Sequence, residues 1–223
     1  MSVPAPEAHK RYIQWTLRSA IRKRAEYLHG RLLDVGCGVK PYERDLRKTV
    51  TEHVGVDHES TAHGLSKVDI VATAYAIPVE DGSFDSVLAT EVLEHLEEPV
   101  AALREWRRAL KPGGCVVLPA PFIWHLHEEP RDFYRYSPHG LRHVIESAGL
   151  EVVEIEMLGG FWSTFGQLFA YVIRSYENRW TRPLSVFLGR ASQRLGGWLE
   201  RRSPRPDWGS HVVGVARKPL TGD

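Results

Sequence analysis

Short apolar runs alternate along this chain with stretches whose apolar residues return every three or four positions. Leu32-Leu33, His53–Asp57, Phe84–Thr90, Cys115–Pro119, Val152–Ile155 and Ser210–Ala216 have the length of buried strands, and all but the last are closed by proline or an acid. Between them the helical period appears. Tyr12, Trp15, Leu17, Ile21, Ala25 and Leu28 predict a helix over 8–29 with a basic outer side, and Tyr42–Lys48 a short one. Pro99 opens a third, with Val100, Leu103, Trp106 and Leu110 on one side; Ser137-Pro138 starts another that Gly149 ends. Alternation of this kind predicts an α/β protein with a mostly parallel sheet, Phe84–Thr90 being its fourth strand.

About fifty residues separate the sixth strand from the last. Within them Phe161, Phe165, Leu168, Val172 and Tyr176 share one helical face, beside Trp162, Phe169 and Ile173. Leu184, Phe187, Leu188, Ala191, Leu195, Trp198 and Leu199 repeat the pattern. The spacing predicts a helical pair inserted at 159–205, with arginines on its polar side. A lid packed on the core or a homodimer face is the favoured expectation. Bulky aromatics opposite arginine make peripheral membrane contact the alternative. The division expected is an N-terminal capping helix at 1–29 and one domain over 30–223.

Composition changes this picture little. A chain of 223 residues suits one domain with additions, and a net charge of +1 gives no general case for nucleic acid. Cys37 and Cys115 fall in strand–turn regions, as small buried residues in a reducing compartment do. No signal peptide is evident, and no apolar run approaches the roughly 18 residues of a membrane span. A cytoplasmic protein is expected, with a peripheral membrane location as the alternative.

Candidate chemistry concentrates after the first strand, in Asp34-Val-Gly36-Cys37-Gly38. Glycine there reaches positive φ and lets a ligand touch the backbone. A dinucleotide turn, G-x-G-x-x-G, fails because Pro41 stands where the third glycine belongs. The acid two residues before the first glycine favours a cationic ligand over a pyrophosphate. Asp57 ends the next strand about twenty residues on, the spacing at which a carboxylate reaches ribose hydroxyls; helix capping is its other reading.

These residues resemble motif I of the class I S-adenosylmethionine-dependent methyltransferases. Further stretches are similar to that family's: Ala72-Thr73-Ala74-Tyr75-Ala76-Ile77-Pro78, Phe84-Asp85, Glu91-Val92-Leu93-Glu94-His95 and Leu110-Lys111-Pro112-Gly113-Gly114 before a strand. The resemblance covers roughly residues 30–120. It implies a three-layer Rossmann-like sandwich, a seven-stranded mostly parallel sheet with an antiparallel last strand, and the helical insertion before that strand. It also implies S-adenosylmethionine as cofactor, held by Asp34, Gly36, Cys37, Gly38, Asp57, Thr73, Ala74 and Glu91. Thr73 departs from the pattern, standing where an acid usually meets the adenine amino group; Glu91 is equally readable as a helix cap.

The run Pro130-Arg131-Asp132-Phe133-Tyr134-Arg135-Tyr136-Ser137 is similar to an element of a bacterial subgroup acting on saccharides, lipids or secondary metabolites. It implies an acceptor site with Arg131, Tyr134 and Arg135 as contacts. His127, with His125 in reserve, suits a general base, because histidine titrates near neutral pH. No metal is expected: His125, His127 and Asp132 lack a usual zinc spacing. The expected function is O-methylation of a small-molecule, saccharide or lipid-linked acceptor. Its alternatives are a non-catalytic cofactor- or partner-binding protein of the same fold and, against the balanced charge, a nucleic-acid methyltransferase.

Overall fold

A computed structural model describes residues 11–61 and 64–220; the first residues of the expected N-terminal helix lie outside them. Seven strands form one sheet: β1 (Gly30–Val35), β2 (Val50–Asp57), β3 (Ile70–Val71), β4 (Phe84–Ala89), β5 (Leu110–Pro121), β6 (Glu151–Leu158) and β7 (His211–Arg217). Their order is β3-β2-β1-β4-β5-β7-β6. β1 pairs in parallel with both β2 and β4, and β7 runs antiparallel to β5 and β6. The antiparallel last strand and the helices before it match the sequence expectation.

Residue alternation builds the layers. Leu33, Val87, Val116 and Val212 face one cluster, with Leu103 and Trp106 of α3 (Pro99–Ala109) and Leu141 and Ile145 of α4 (Pro138–Ser147). Their neighbours Leu32, Leu88, Val117 and Val213 face the other, with Leu17 and Ile21 of α1 (Arg11–Lys23) and Leu46 of α2 (Glu43–Leu46). A one-residue slip in any strand would exchange these sets, so the register is strongly specified. Two helices, α5 (Phe161–Ser175) and α6 (Arg182–Arg202), bridge β6 and β7.

Two boundaries differ from expectation. The first helix stops at Lys23 because Arg24 turns inward, bonding the Ala20 carbonyl (3.1 Å), Glu154 and Glu156 on β6; a 3-10 turn follows at Ala25–Tyr27. Lys111–Gly114, which precedes the strand expected at Cys115–Pro119, is drawn into β5. Gly113 takes φ +80°, and its N–H donates to the Lys218 carbonyl at 2.9 Å while Lys218 N–H answers to Gly114 at 2.9 Å.

The sheet runs outward in opposite directions from the β1/β4 pair, 1-2-3 to one side and 4-5 to the other. Such a reversal opens a crevice beyond the carboxyl ends of those strands, where open α/β sheets bind ligands. Asp34–Gly38, Asp57, Glu91 and the loop after β5 all emerge there.

Candidate active site

The glycine turn is braced from behind. Gly36 and Gly38 take φ of +66° and +49°, and a Cβ on Gly36 would stand 2.5 Å from Val92 Cγ2, just past the end of β4. Asp34 is buried, its Oδ2 2.7 Å from His53 Nε2, and burial raises its carboxyl while the His53 hydrogen bond opposes the rise. Asp34 therefore sits behind the turn. Cys37 packs beneath it, its thiol pushed up to about 12 by burial. Lys40, at φ +50°, sends its ammonium inward to the His53 carbonyl (2.7 Å) and Asp69 Oδ2 (2.5 Å). Asp69 also accepts the Gly55 N–H at 2.7 Å; this bond and Lys40 outweigh burial and keep its carboxyl low. Gly55 is required because a Cβ there would lie 2.5 Å from Lys40 Cε and 2.6 Å from Cys37 Sγ.

Asp57 faces the turn across the crevice. Its Oδ2 accepts the Gly38 N–H and its Oδ1 the His58 N–H, both at 2.8 Å. Each carboxylate oxygen has a second lone pair, so further acceptor capacity remains. Thr73 and Ala74 lie in a narrow turn closed by a bridge from Thr73 to Ala76, and the Ala74 carbonyl accepts Trp106 Nε1–H at 3.1 Å. Glu91 holds φ +56°, with Oε2 2.9 Å from Nε2 of the buried His211. Its Oε1 and the neighbouring Thr90 Oγ1 are buried without a partner. Unpaired buried acceptors beside a glycine turn fit a ligand carrying ammonium and hydroxyl donors, as S-adenosylmethionine does.

The loop expected to meet the acceptor spans 122–136. Arg135 holds that loop together. Its five N–H groups all have acceptors: both Asp132 oxygens at 2.6 and 2.7 Å, and the carbonyls of Tyr134 (2.7 Å), His125 (2.8 Å) and Trp124 (3.3 Å). In this arrangement all of its N–H groups are engaged, and Arg131, the other arginine expected at the acceptor, is exposed and 3.5 Å from Glu97. Tyr134 donates its hydroxyl to the Glu97 carbonyl at 3.0 Å. Asp132, held well below the usual carboxylate range by Arg135, accepts the His127 N–H at 2.9 Å and lies 3.5 Å from His127 Nδ1.

His127 Nε2 points to Glu94, a residue the sequence reading did not single out. The Glu94 side chain is fully buried with neither oxygen hydrogen-bonded; His127 Nε2 stands 3.9 Å and His95 Nε2 3.8 Å from Oε1. Ligating atoms of Glu94, His95 and His127 all lie within 4.8 Å of one another, a grouping different from the His125–His127–Asp132 set weighed on sequence. His95 Nδ1 donates to the Arg131 carbonyl at 2.5 Å. His125 points elsewhere, toward Trp124 and toward Tyr171 of α5 at 4.6 Å between ring centroids; burial lowers its pKa.

Burial, then the charge of Glu91, raises the Glu94 carboxyl well above its ordinary value. Between the ordinary and the raised value it keeps its proton in the fold and loses it on unfolding, so its contribution to stability is complete at low pH and drains away as pH climbs through the raised value. Glu94→Gln is expected to melt above the wild type at about pH 8, with the gap closing near the ordinary carboxyl range of about pH 4. Melting curves across pH check this; a gap independent of pH would contradict it.

Comparisons with known proteins follow this geometry. Residues 33–118 match the family described as "Methyltransferase domain". A ubiquinone biosynthesis O-methyltransferase of Cereibacter sphaeroides is 28% identical across 56% of this chain and 61% of its own length. The chain spans about half the length of the curated relatives it matches. Among solved structures, phosphoethanolamine N-methyltransferase 2 of Haemonchus contortus, in complex with S-adenosyl-L-methionine, superposes with a TM-score of 0.60 at 19% identity. That match covers 95% of this chain and 56% of the other. The [4+2]-cyclase SpnF superposes at 0.59 and 24% identity, covering 92% of this chain and 80% of the other. At these identities the structural likeness shows the fold alone.

Proposed function

We propose, from the premise that this chain belongs to the class I S-adenosylmethionine-dependent methyltransferases through its domain at residues 33–118, that it methylates an acceptor hydroxyl delivered against the 122–136 loop. The observation that carries this reading is His127. Its backbone N–H is held by Asp132, which Arg135 fixes in turn; its ring Nδ1 lies 3.4 Å from the His125 carbonyl and 3.5 Å from Asp132 Oδ2, and its Nε2 looks toward the buried Glu94 at the carboxyl end of the sheet.

When bound, the cofactor supplies a methyl group on a positively charged sulfur. The chain's part is placement and proton removal. Gly36 and Gly38 allow backbone approach, Asp57 receives the ribose hydroxyls, and Glu91 Oε1 accepts from the amino acid end. Thr73 and the Ala74 backbone border the adenine, with no acid at that point. His127 takes the acceptor's hydroxyl proton as the new O–C bond forms. In-line placement of the two reactants supplies up to ~7–11 kcal/mol of the acceleration in good cases. Oxygen as the target is supported by an imidazole placed to take a proton and by the O-methyltransferases among the relatives. Small-molecule, saccharide and lipid-linked hydroxyls are the acceptor classes in view, in a biosynthetic setting on the cytoplasmic side.

A second reading rests on the Glu94–His95–His127 grouping. His95, oriented by its bond to the Arg131 carbonyl, and His127 are arranged as imidazole metal ligands usually are. A divalent cation held there would orient and acidify the acceptor oxygen in place of a base. Chelation followed by add-back separates the two: loss of transfer restored by one metal favours the cation, and indifference favours His127.

The experiment for the main reading is a mass-spectrometric screen with a methyl-deuterated cofactor over candidate acceptors. Label on oxygen supports it. Label on nitrogen alone, or on nucleic acid alone, refutes the acceptor chemistry.

A further inference from the structure

The insertion is built inside out for a protein surrounded by water. α5 and α6 meet through small and polar residues: Ser163, Thr164, Gln167 and Ala170 on one helix, Ser185, Gly189 and Gly196 on the other, all buried. Their backbones nearly touch. A Cβ on Gly166 would lie 2.7 Å from the Ser192 carbonyl oxygen, and one on Gly196 2.4 Å from that of Trp162. Polar groups bind the pair, with Ser192 Oγ donating to the Gly166 carbonyl at 2.9 Å and Gln193 Nε2 to Gln167 Oε1 at 2.8 Å.

Large apolar side chains point the other way. Phe169 is 59% exposed, Tyr176 and Trp180 78%, and Phe187 67%, with Leu195 and Trp198 also exposed. A hairpin held by the hydrophobic effect in water would bury these and expose the serines and glutamines. Close packing through glycine and serine, with large apolar groups outside, is how helices associate where the surroundings are themselves apolar.

Charge identifies those surroundings further. Residues 161–205 carry eight arginines and two glutamates, in a chain whose whole net charge is +1. The two glutamates are occupied within the hairpin: Glu177 accepts from Ser185 Oγ at 2.6 Å and pairs with Arg174 at 3.3 Å and Arg182 at 3.6 Å, and Glu200 Oε2 caps the start of α5 through the N–H groups of Trp162 (2.9 Å) and Ser163 (3.2 Å). Arg179 lies over Trp180 and Arg202 over Trp198, 4.3 and 4.1 Å from the ring centroids, joining cation and aromatic edge as at a lipid headgroup boundary. Among the described residues no helix is long and apolar enough to cross a membrane.

We infer that the α5–α6 hairpin lies in the interface of an anionic lipid bilayer, apolar face toward the acyl chains and arginines among the headgroups. Tyr171, on α5, touches both Trp124 and His125 at 5.3 and 4.6 Å between centroids, so the docked hairpin sets the acceptor loop at the lipid surface. The substrate class this favours is a lipid-linked hydroxyl, and that part alone rests on the methyltransferase reading.

Flotation with phosphatidylcholine vesicles, with and without phosphatidylglycerol, tests the docking. The wild type is expected to float with the anionic vesicles, weakly with the neutral ones, and less in high salt. Phe187→Asp and Phe169→Asp should abolish flotation, and Arg190→Glu with Arg194→Glu should reduce it. Both aspartate changes sit on the outer face, and unchanged cofactor binding by calorimetry verifies that the domain is intact. A wild type that floats with neither vesicle overturns the inference. So does flotation indifferent to Phe187→Asp, or a dimer in solution that Phe187→Asp dissolves while vesicles go unbound, which would assign the face to a second copy. Flotation as expected, with label from the deuterated cofactor entering only water-soluble acceptors, leaves the docking standing and removes the lipid-linked substrate.

Discussion

Gly36→Val is expected to eliminate measurable binding of S-adenosylmethionine. Two effects combine. Residue 36 sits at φ +66°, where a β-branched side chain is strained by about 1–3 kcal/mol. The added Cβ also meets Val92 Cγ2 at 2.5 Å, so the turn or the Val92 side chain behind it must shift. Micromolar binding is worth on the order of −8 kcal/mol, and a displaced turn loses the backbone approach that this requires. Asp57→Ala makes the graded comparison. It removes the acceptor for the Gly38 and His58 N–H groups together with the proposed ribose contact, a loss of charge-assisted bonds worth about 1.5–3 kcal/mol, or roughly ten- to hundredfold in affinity. Calorimetry on both variants, with melting curves to show that each is folded, checks the pair. Wild-type affinity in Gly36→Val would mean that the turn does not contact the cofactor.

His127→Ala is expected to slow methyl transfer by roughly 10²–10⁴-fold with cofactor affinity nearly unchanged. Removing the imidazole leaves Asp132 paired with Arg135, so the loop keeps its fold; Glu94 loses only a neighbour 3.9 Å away. His125→Ala should act less on the rate and more through its contact with Tyr171. Turnover measured at saturating acceptor across pH distinguishes a base from a positioning group. An unaltered rate in both variants would leave placement as the whole of the mechanism.

Much of this was legible in the sequence. The glycine turn, the acid at Asp57 and the strand runs depend on local chemistry, and local chemistry is what spacing reports. The braces behind the turn were not legible. Lys40, His53 and Asp69 come together only because β1 and β2 pair in one register, Asp34 opposite Gly55 and Leu32 opposite His53. Glu94 was equally hidden: in sequence it is one acid among several, and only the packing of the loop over it shows that it is buried and unpaired. Arg135 was readable as an acceptor contact; the path of the 122–136 backbone, which supplies three carbonyls to it, gives it a structural part that the sequence did not show.

The insertion gives a different lesson. Helical periodicity identified the apolar faces of α5 and α6 correctly, yet an amphipathic pattern does not say which side meets the neighbouring helix. A lid or a dimer face was the expectation for this pair, and the periodicity alone left open which side would close between the helices. Glycines 166, 189 and 196 allow the opposite faces to close, and the aromatic side is left outside. Small residues recurring on the polar side, at Ser163–Gln167 and Ser185–Gly196, were the available signal.

Titration calorimetry of the wild type with S-adenosylmethionine, its demethylated product and NADH tests the central claim most directly. Saturable micromolar binding of the first two and none of NADH is the predicted result. No binding of either sulfur compound, or tight binding of NADH in their place, would contradict it.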